Sequence, residues 1–171
     1  ALACGGYTGT ADTVNTETWN GTSWTETGNI PTSTANLGGA GTNTAGLSFA
    51  GRTPSLTTAT NEFTGAGANI GAWSSAPDIN TSRGFGGGGA GIYTSALLFG
   101  GNVQPTYTEY YNGSSWTEIA DLNTGKNKTL GFGVYTAAIN ASGDPGSPTG
   151  GSDKTELFNG SSWTEIADQN Q

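Results

Sequence analysis

Short apolar and β-branched runs alternate with turn residues along the whole chain, and their order repeats. A full repeat holds a glycine-rich run, as at 37–42 and 84–89, then an apolar run, a run with Glu and aromatic residues, and a run that begins at Trp. The apolar runs are 44–49, 94–99 and 136–141, and the Glu-containing runs are 14–19, 106–111 and 154–158. No run has the period of an amphipathic helix, so the pattern predicts an all-β chain.

The amino acids themselves also repeat. Residues 111–121 return almost unchanged at 158–168, a shorter copy lies at 19–26, and a degenerate copy runs from 62 to 75. Three markers recur, namely a glycine pair or its remnant, a Glu close before an aromatic residue, and a Trp. They are Gly5 with Gly6, Gly51, Gly100 with Gly101, Gly143, Glu17, Glu62, Glu109, Glu156, Trp24, Trp73, Trp116 and Trp163. We predict structural roles for all of them, with the Trp residues in the core and the Glu residues bonding between repeats or lying on the surface.

Asn-Gly joins the Glu-containing strand to the Trp strand in three copies, at 20–21, 112–113 and 159–160. This dipeptide between two strands is typical of a tight hairpin, because both central residues of a type I′ turn need positive φ. The sequence therefore predicts three type I′ hairpins. The glycine-rich run at 84–89 is interpreted as a strand at a crowded centre, since no Gly-Lys-Ser/Thr follows it as in a phosphate-binding loop.

Four short strands in a unit of about 47 residues form the pattern of a β-propeller blade. The doublet strand 96–101, Glu109 with Tyr110 and Tyr111, Trp116, and a basic residue ten positions later resemble the kelch-repeat family. The resemblance implies a β-propeller of about four kelch-like blade units, approximately 1–33, 34–82, 83–125 and 126–171, with the first lacking its glycine-rich strand. The amino-acid sequence of the repeats also resembles that of kelch-like arrays in bacterial surface and phage appendage proteins, tail fibres in particular.

The number of units bears on how a ring would close. The chain opens on an apolar strand and stops soon after Trp163. We therefore expect an excised piece of a longer chain, several copies that complete one ring, or a small ring with one open edge. An open sheet edge is itself an association site, so self-association or a longer parent chain is expected.

Charge and composition narrow the function classes. Thirteen acidic against five basic residues give a net charge of -8, so nucleic acid and anionic membranes are not expected partners. No apolar run is long enough to span or insert into a membrane. With no His and a single cysteine, Cys4, the chain lacks the usual groups for zinc, haem, a disulfide or nucleophilic catalysis. We predict a non-enzymatic protein without a cofactor or metal.

Binding residues are expected at the loops, where aromatic rings beside hydroxyl and amide side chains suit a sugar or a protein surface. The aromatic candidates are Tyr107, at the start of the Glu-containing run 106–111, and Tyr110 within that run. Asp144 and Asp153 are further candidates, and the sequence leaves open whether their loop, 143–153, holds Ca²⁺. The predicted function is a structural and interaction module of a secreted or virion-surface protein, which binds a protein or cell-surface receptor through loops or blade edges. The alternative is a lectin with shallow glycan sites. A hydrolase would need a pair of carboxylates unique to one unit, and the sequence shows none.

Overall fold

The computed structural model describes residues 1–65, 71–84, 87–103, 105–145 and 151–169, and within them all regular structure is β-strand. Fifteen strands form four antiparallel sheets. The first sheet holds β1 (Leu2–Cys4), β2 (Thr16–Trp19) and β3 (Trp24–Glu26), and the second β4 (Gly38–Gly41), β5 (Ala45–Phe49), β6 (Thr60–Thr64) and β7 (Ala72–Ala76). The third holds β8 (Gly88–Ile92), β9 (Ser95–Phe99), β10 (Thr108–Tyr111) and β11 (Trp116–Glu118), and the fourth β12 (Leu130–Val134), β13 (Ala137–Ala141), β14 (Thr155–Phe158) and β15 (Trp163–Glu165).

The all-β prediction is confirmed, and so are the four repeats with the first one strand short. Each sheet is built from strands that are consecutive in the chain and has its Trp strand at one edge. The opposite edge is the glycine-rich strand in the second, third and fourth sheets and the apolar strand β1 in the first. The apolar and Glu-containing strands begin one or two residues later than predicted, as for β5 at Ala45 and β10 at Thr108, and β8 begins at Gly88. Three of the Trp strands begin at their Trp as predicted. Residues 85 and 86 of the predicted 84–89 strand lie outside the described residues.

Apolar side chains pack between neighbouring sheets. The cluster between the second and third sheets contains Leu47, Phe49, Ala50, Ile79, Ala96, Leu98, Tyr111 and Trp116. One repeat later, the cluster between the third and fourth sheets contains Ala90, Leu97, Phe99, Leu122, Ala138, Phe158 and Trp163. The third sheet is therefore covered on both faces, which explains why β9 is buried at four of its five positions.

The three glycine-rich strands lie side by side, each at the edge of its own sheet. β8 contacts both β4 and β12, so three backbones meet where the sheets converge. A Cβ on Gly89 would collide with the Gly39 carbonyl, and one on Gly131 would lie 2.6 Å from the Gly89 carbonyl oxygen. Glycine is needed here because any side chain would push neighbouring sheets apart.

We expect Gly89→Ala to destabilise the protein by about 1–3 kcal/mol, because the added methyl group overpacks the contact with β4. Gly39 occupies the same register in the second sheet, but a Cβ there would meet only the Leu47 carbonyl, at 3.2 Å. Gly39→Ala is therefore the matched control and should change stability little. Urea denaturation followed by circular dichroism compares the two variants, and equal loss of stability in both would contradict the crowded contact.

The hairpin prediction is wrong in its turn type. The register pairs Trp19 with Trp24, so the loop has four residues, 20–23, rather than two. Gly21 has positive φ, but Asn20 does not belong to the positive-φ residues. Instead, the Asn20 side-chain carbonyl accepts hydrogen bonds from the backbone of Thr22 and Ser23, at 2.8 and 3.0 Å. The same arrangement recurs at 112–115 and 159–162, because Asn bonds readily to the backbone two residues ahead.

The glycine pairs share one backbone conformation, and it persists where a glycine has been lost. Both residues of each pair have positive φ, including Ala50 and Ser142, each at 59°. In three repeats the second residue donates its N–H to the segment that leads into the next sheet. These bonds are Gly6 to the Thr34 carbonyl, Gly51 to Arg83 and Gly101 to Lys126, at 2.8–2.9 Å. The pair therefore fixes where the chain crosses from one sheet to the next.

Candidate interaction surfaces

Two buried carboxylates fasten neighbouring sheets together. Glu109 of the third sheet accepts hydrogen bonds from the Asn80 backbone at 2.7 Å, the Asn80 side chain at 2.8 Å and the Thr81 backbone. It also pairs with Arg83. Glu156 of the fourth sheet repeats the pattern with Asn123 and Thr124, one repeat later. The donors lie in the segments that link the sheets, so each Glu holds the chain as it crosses over.

The basic residues in these networks are also buried and fully engaged. Arg83 donates to the Gly100 and Tyr107 carbonyls, at 3.3 and 2.8 Å. Lys126 donates to the Asn140 side chain at 2.8 Å and to the Lys154 carbonyl at 2.7 Å, and its ammonium lies 3.9 Å from Glu156. Burial lowers the pKa of Arg83 and of Lys126, and the neighbouring carboxylates oppose that shift. These charges therefore serve the sheet contacts and are withdrawn from solvent.

The repeat alignment of Glu62 needs correction. Glu62 pairs with Leu47, as Tyr110 pairs with Leu97, so Asn61 occupies the register of Glu109. The other marker, Glu17, has the correct register but is exposed, because no sheet of the described chain covers that face. The carboxylate network is therefore seen for Glu109 and Glu156.

Each sheet after the first also bonds to the preceding sheet through its Trp. The indole N–H donates to a buried threonine hydroxyl in the Glu-containing strand of the preceding sheet. The pairs are Trp73 with Thr16 at 3.1 Å, Trp116 with Thr60 at 3.1 Å and Trp163 with Thr108 at 3.0 Å. These threonines were not predicted as contact residues, although a Thr occupies this strand in every repeat. The partners lie 55–57 residues apart, so no local pattern reveals them.

The four marker Trp residues differ in burial. Trp116 and Trp163 are buried and Trp73 is half-buried. Trp24 is 47% exposed, so its predicted place in the core is not seen. The reason is its position in the first sheet, since a preceding sheet covers each of the other three Trp residues.

The four predicted binding residues do not form one site. Tyr110 stacks on Tyr135 with ring centroids 3.9 Å apart, and its hydroxyl lies near Ser95 at the start of β9. Tyr107 lies at the other end of β9, where its carbonyl binds the Gly100 N–H. Asp144 lies in the fourth sheet's loop and forms an ion pair with Lys128 at 3.8 Å. Asp153 accepts the Gln169 N–H through its backbone carbonyl.

The described residues show neither a cluster of metal ligands nor a membrane-spanning helix. They contain no group of three or more His, Cys, Asp or Glu side chains placed to hold a metal ion. The described part of the chain has no helix that is long and apolar enough to cross a membrane. Burial raises the pKa of the Cys4 thiol to about 11, which leaves little reactive thiolate at neutral pH. Residues 146–150 of the loop considered for Ca²⁺ lie outside the described part of the chain.

The fourth sheet presents an uncovered apolar face on the side opposite the third sheet. Its exposed large side chains are Leu130, Phe132, Val134, Leu157 and Ile166. Leu130 and Phe132 are 66% and 53% exposed. We call these five residues the outer face of the fourth sheet. Five of the nine large hydrophobic residues that are exposed in the described part of the chain are therefore grouped here. An apolar patch of this kind is typical of an interaction surface.

The first sheet is open where a glycine-rich strand lies in the other sheets. A groove of about 430 Å³ lies between the first and second sheets. It is lined by residues in and next to β1 and β4, together with one residue of β5, namely Ala1, Leu2, Cys4, Leu37, Gly39, Ala40, Gly41, Thr42, Asn43 and Leu47. The Trp19–Trp24 ring pair is also uncovered on the first sheet, with centroids 5.5 Å apart. The two ends of the array therefore expose different surfaces.

Comparisons with known proteins inform the fold. No family model matches the chain, and no curated protein matches it. Among solved structures, the structure of YjhT is similar, with a TM-score of 0.73 at 13% identity. The similarity covers 91% of this chain and 53% of that one, so this chain spans about half the length of YjhT. At this identity the likeness is one of fold, an all-β arrangement of successive antiparallel sheets.

Proposed function

We propose that the chain is a kelch-type β-propeller array that acts as a non-enzymatic structural and interaction module. Its sheets are the blades, and binding occurs through the uncovered sheet faces and the loops. The observation that carries the proposal is the outer face of the fourth sheet, where five large apolar side chains lie exposed in a chain with net charge -8. Such a face lowers its free energy by being covered.

A structural role also agrees with where the charged groups are used. Arg83, Glu109, Lys126 and Glu156 are buried and bond across sheet boundaries. A general acid or base must reach a substrate, and these groups are enclosed by partners. This arrangement therefore favours a binding function over catalysis by these four residues.

We place the module on a secreted or virion-surface protein, tail-fibre-like in character, with a protein or cell-surface receptor as partner. The support is the amino-acid sequence of the repeats, which is rich in Gly and Thr and contains few charged residues. A glycan-binding function ranks second, because Tyr110 is occupied by Tyr135 and the other predicted binding residues lie apart from it.

Static light scattering over a range of concentrations tests whether the sheet faces associate. We expect a mass above that of the single 17.2 kDa chain that rises towards a multiple of it. Phe132→Lys should lower that mass, because it places a charge on the outer face of the fourth sheet. Val103→Lys is the control, since Val103 is a similarly exposed apolar residue in a loop of the third sheet. A strict monomer at every concentration would contradict association through the sheet faces.

A further inference from the structure

We propose that the outer face of the fourth sheet binds the first sheet of a second copy of this chain, head to tail. In this contact Trp24 of the incoming copy donates its indole N–H to Thr155. The inference rests on the proposed interaction role and names its partner and its register. It follows from repetition, because the same contact already joins the first sheet to the second, the second to the third and the third to the fourth.

The receiving group is a buried hydroxyl without a partner. Thr155 is 8% exposed, and within the described chain its Oγ1 has no hydrogen-bond partner. Its register counterparts Thr16, Thr60 and Thr108 each accept from a Trp of the following sheet. A buried polar atom without a partner destabilises the state that holds it, so Thr155 gains a hydrogen bond when a donor approaches.

The proposed donor is Trp24, which lies exposed on the first sheet. Trp24 pairs with Trp19 in register, as Trp116 pairs with Tyr111 and Trp163 with Phe158. Those two ring pairs pack against the sheet before them. Trp24 is the marker Trp that lies on the first sheet and is exposed. Trp24 and Thr155 are therefore the unmatched halves of one repeated bond.

The apolar residues around Thr155 also occupy the registers that a following sheet covers elsewhere. Leu157 has the register of Tyr110, which stacks on the next sheet's Tyr135. Phe132 has the register of Ala90, which is buried beneath the fourth sheet. The outer face of the fourth sheet is thus equivalent in register to the faces that form the two apolar contacts inside the chain.

The fourth sheet keeps a large apolar side chain at this contact but carries it on the neighbouring strand. In the second and third sheets a Phe on the apolar strand packs edge-on against the next sheet's Trp, at 5.2 Å for Phe49 and 4.9 Å for Phe99. A glycine lies opposite each Phe in register. In the fourth sheet Ala141 replaces the Phe and Leu130 replaces the glycine. An incoming Trp24 would accordingly meet Leu130 where Trp163 meets Phe99.

The contact joins two different surfaces, so it is heterologous and propagates head to tail until a ring closes or a chain of copies forms. Two fourth sheets packed face to face would bury apolar area but would bring no indole donor to Thr155. This difference separates the proposal from non-specific association of the apolar face.

The test uses two variants and their mixture, followed by light scattering. Trp24→Ala removes the donor surface, and Leu157→Lys disables the receiving face. Each variant alone should be monomeric. The mixture should recover a two-chain species of twice the 17.2 kDa mass, because the Leu157→Lys chain still offers Trp24 to the intact receiving face of the Trp24→Ala chain. Circular dichroism verifies that both variants fold, and Val103→Lys again serves as the control.

Thr155→Val refines the test, because valine has nearly the shape of threonine without the hydroxyl. We expect it to weaken association roughly three- to tenfold, the loss of one hydrogen bond, while leaving the isolated chain at least as stable. If both single variants associate like the natural chain, the head-to-tail register is wrong although the interaction role stands. If Leu157→Lys prevents association but Trp24→Ala does not, the donor is not Trp24. The same conclusion follows if the mixture of the two variants stays monomeric. If the natural chain never associates, both proposals fail.

Discussion

Replacing Glu109 by alanine is expected to lower the free energy of unfolding by about 3–5 kcal/mol, the usual cost of leaving one partner of a buried ion pair alone. Arg83 would remain fully buried with its charge uncompensated. The Asn80 and Thr81 backbone N–H groups would also lose their acceptor. Urea denaturation measured at neutral pH reports the loss.

Two further variants, Glu17→Ala and Arg83→Met, separate the carboxylate network from a general effect of the substitution. Glu17→Ala changes the same register position in the first sheet, where the carboxylate is exposed, and should have little effect in dilute solution. Arg83→Met should cost less than Glu109→Ala, because Glu109 keeps its bonds to Asn80 and Thr81. A Glu109→Ala protein as stable as the Glu17→Ala protein would show that the network contributes nothing to holding the sheets together.

Strand content and sheet order were predictable because they depend on local signals. The apolar strand that ends at Phe99 and the glycine pair after it recur with nearly fixed spacing, and both are observed as expected. The three-stranded first sheet was predictable for the same reason, since the repeat that forms β1 to β3 shows no glycine-rich run. Local propensity and the repeat pattern agree along most of this chain, which makes its elements readable.

What the sequence did not reveal depends on register and on distant contacts. Glu62 is adjacent to an aromatic residue, as Glu109 is, yet one residue separates their registers and turns their side chains to opposite faces of the sheet. The turn type was missed because the Asn20 side chain, rather than positive φ, closes the loop. The Trp–Thr bonds were missed because each joins two sheets. The exposed state of Trp24 follows from the same fact, since its burial depends on a surface outside its own sheet.

Trp163→Ala is expected to cost about 3–5 kcal/mol, the range for removing a buried large aromatic side chain. Trp163 packs on Phe99 and Phe158, with centroid distances of 4.9 and 5.1 Å, and closes the apolar cluster between the third and fourth sheets. Its removal also leaves the buried Thr108 hydroxyl without its donor. Circular dichroism during urea denaturation measures the loss without relying on Trp fluorescence.

Trp163→Phe and Trp24→Ala divide this effect into its parts. The Phe variant keeps a ring in the cluster and loses the N–H donor, so it should cost about 1 kcal/mol for the bond, plus a smaller packing loss. Trp24→Ala alters the same repeat position on an uncovered sheet, so in dilute solution it should change stability little. At higher concentration the two positions should become alike, because a second copy covering Trp24 would give it the surroundings that Trp163 already has. A Trp24→Ala effect that is independent of protein concentration would contradict that coverage, and a small effect of Trp163→Ala would show that the indole does not hold the sheets together.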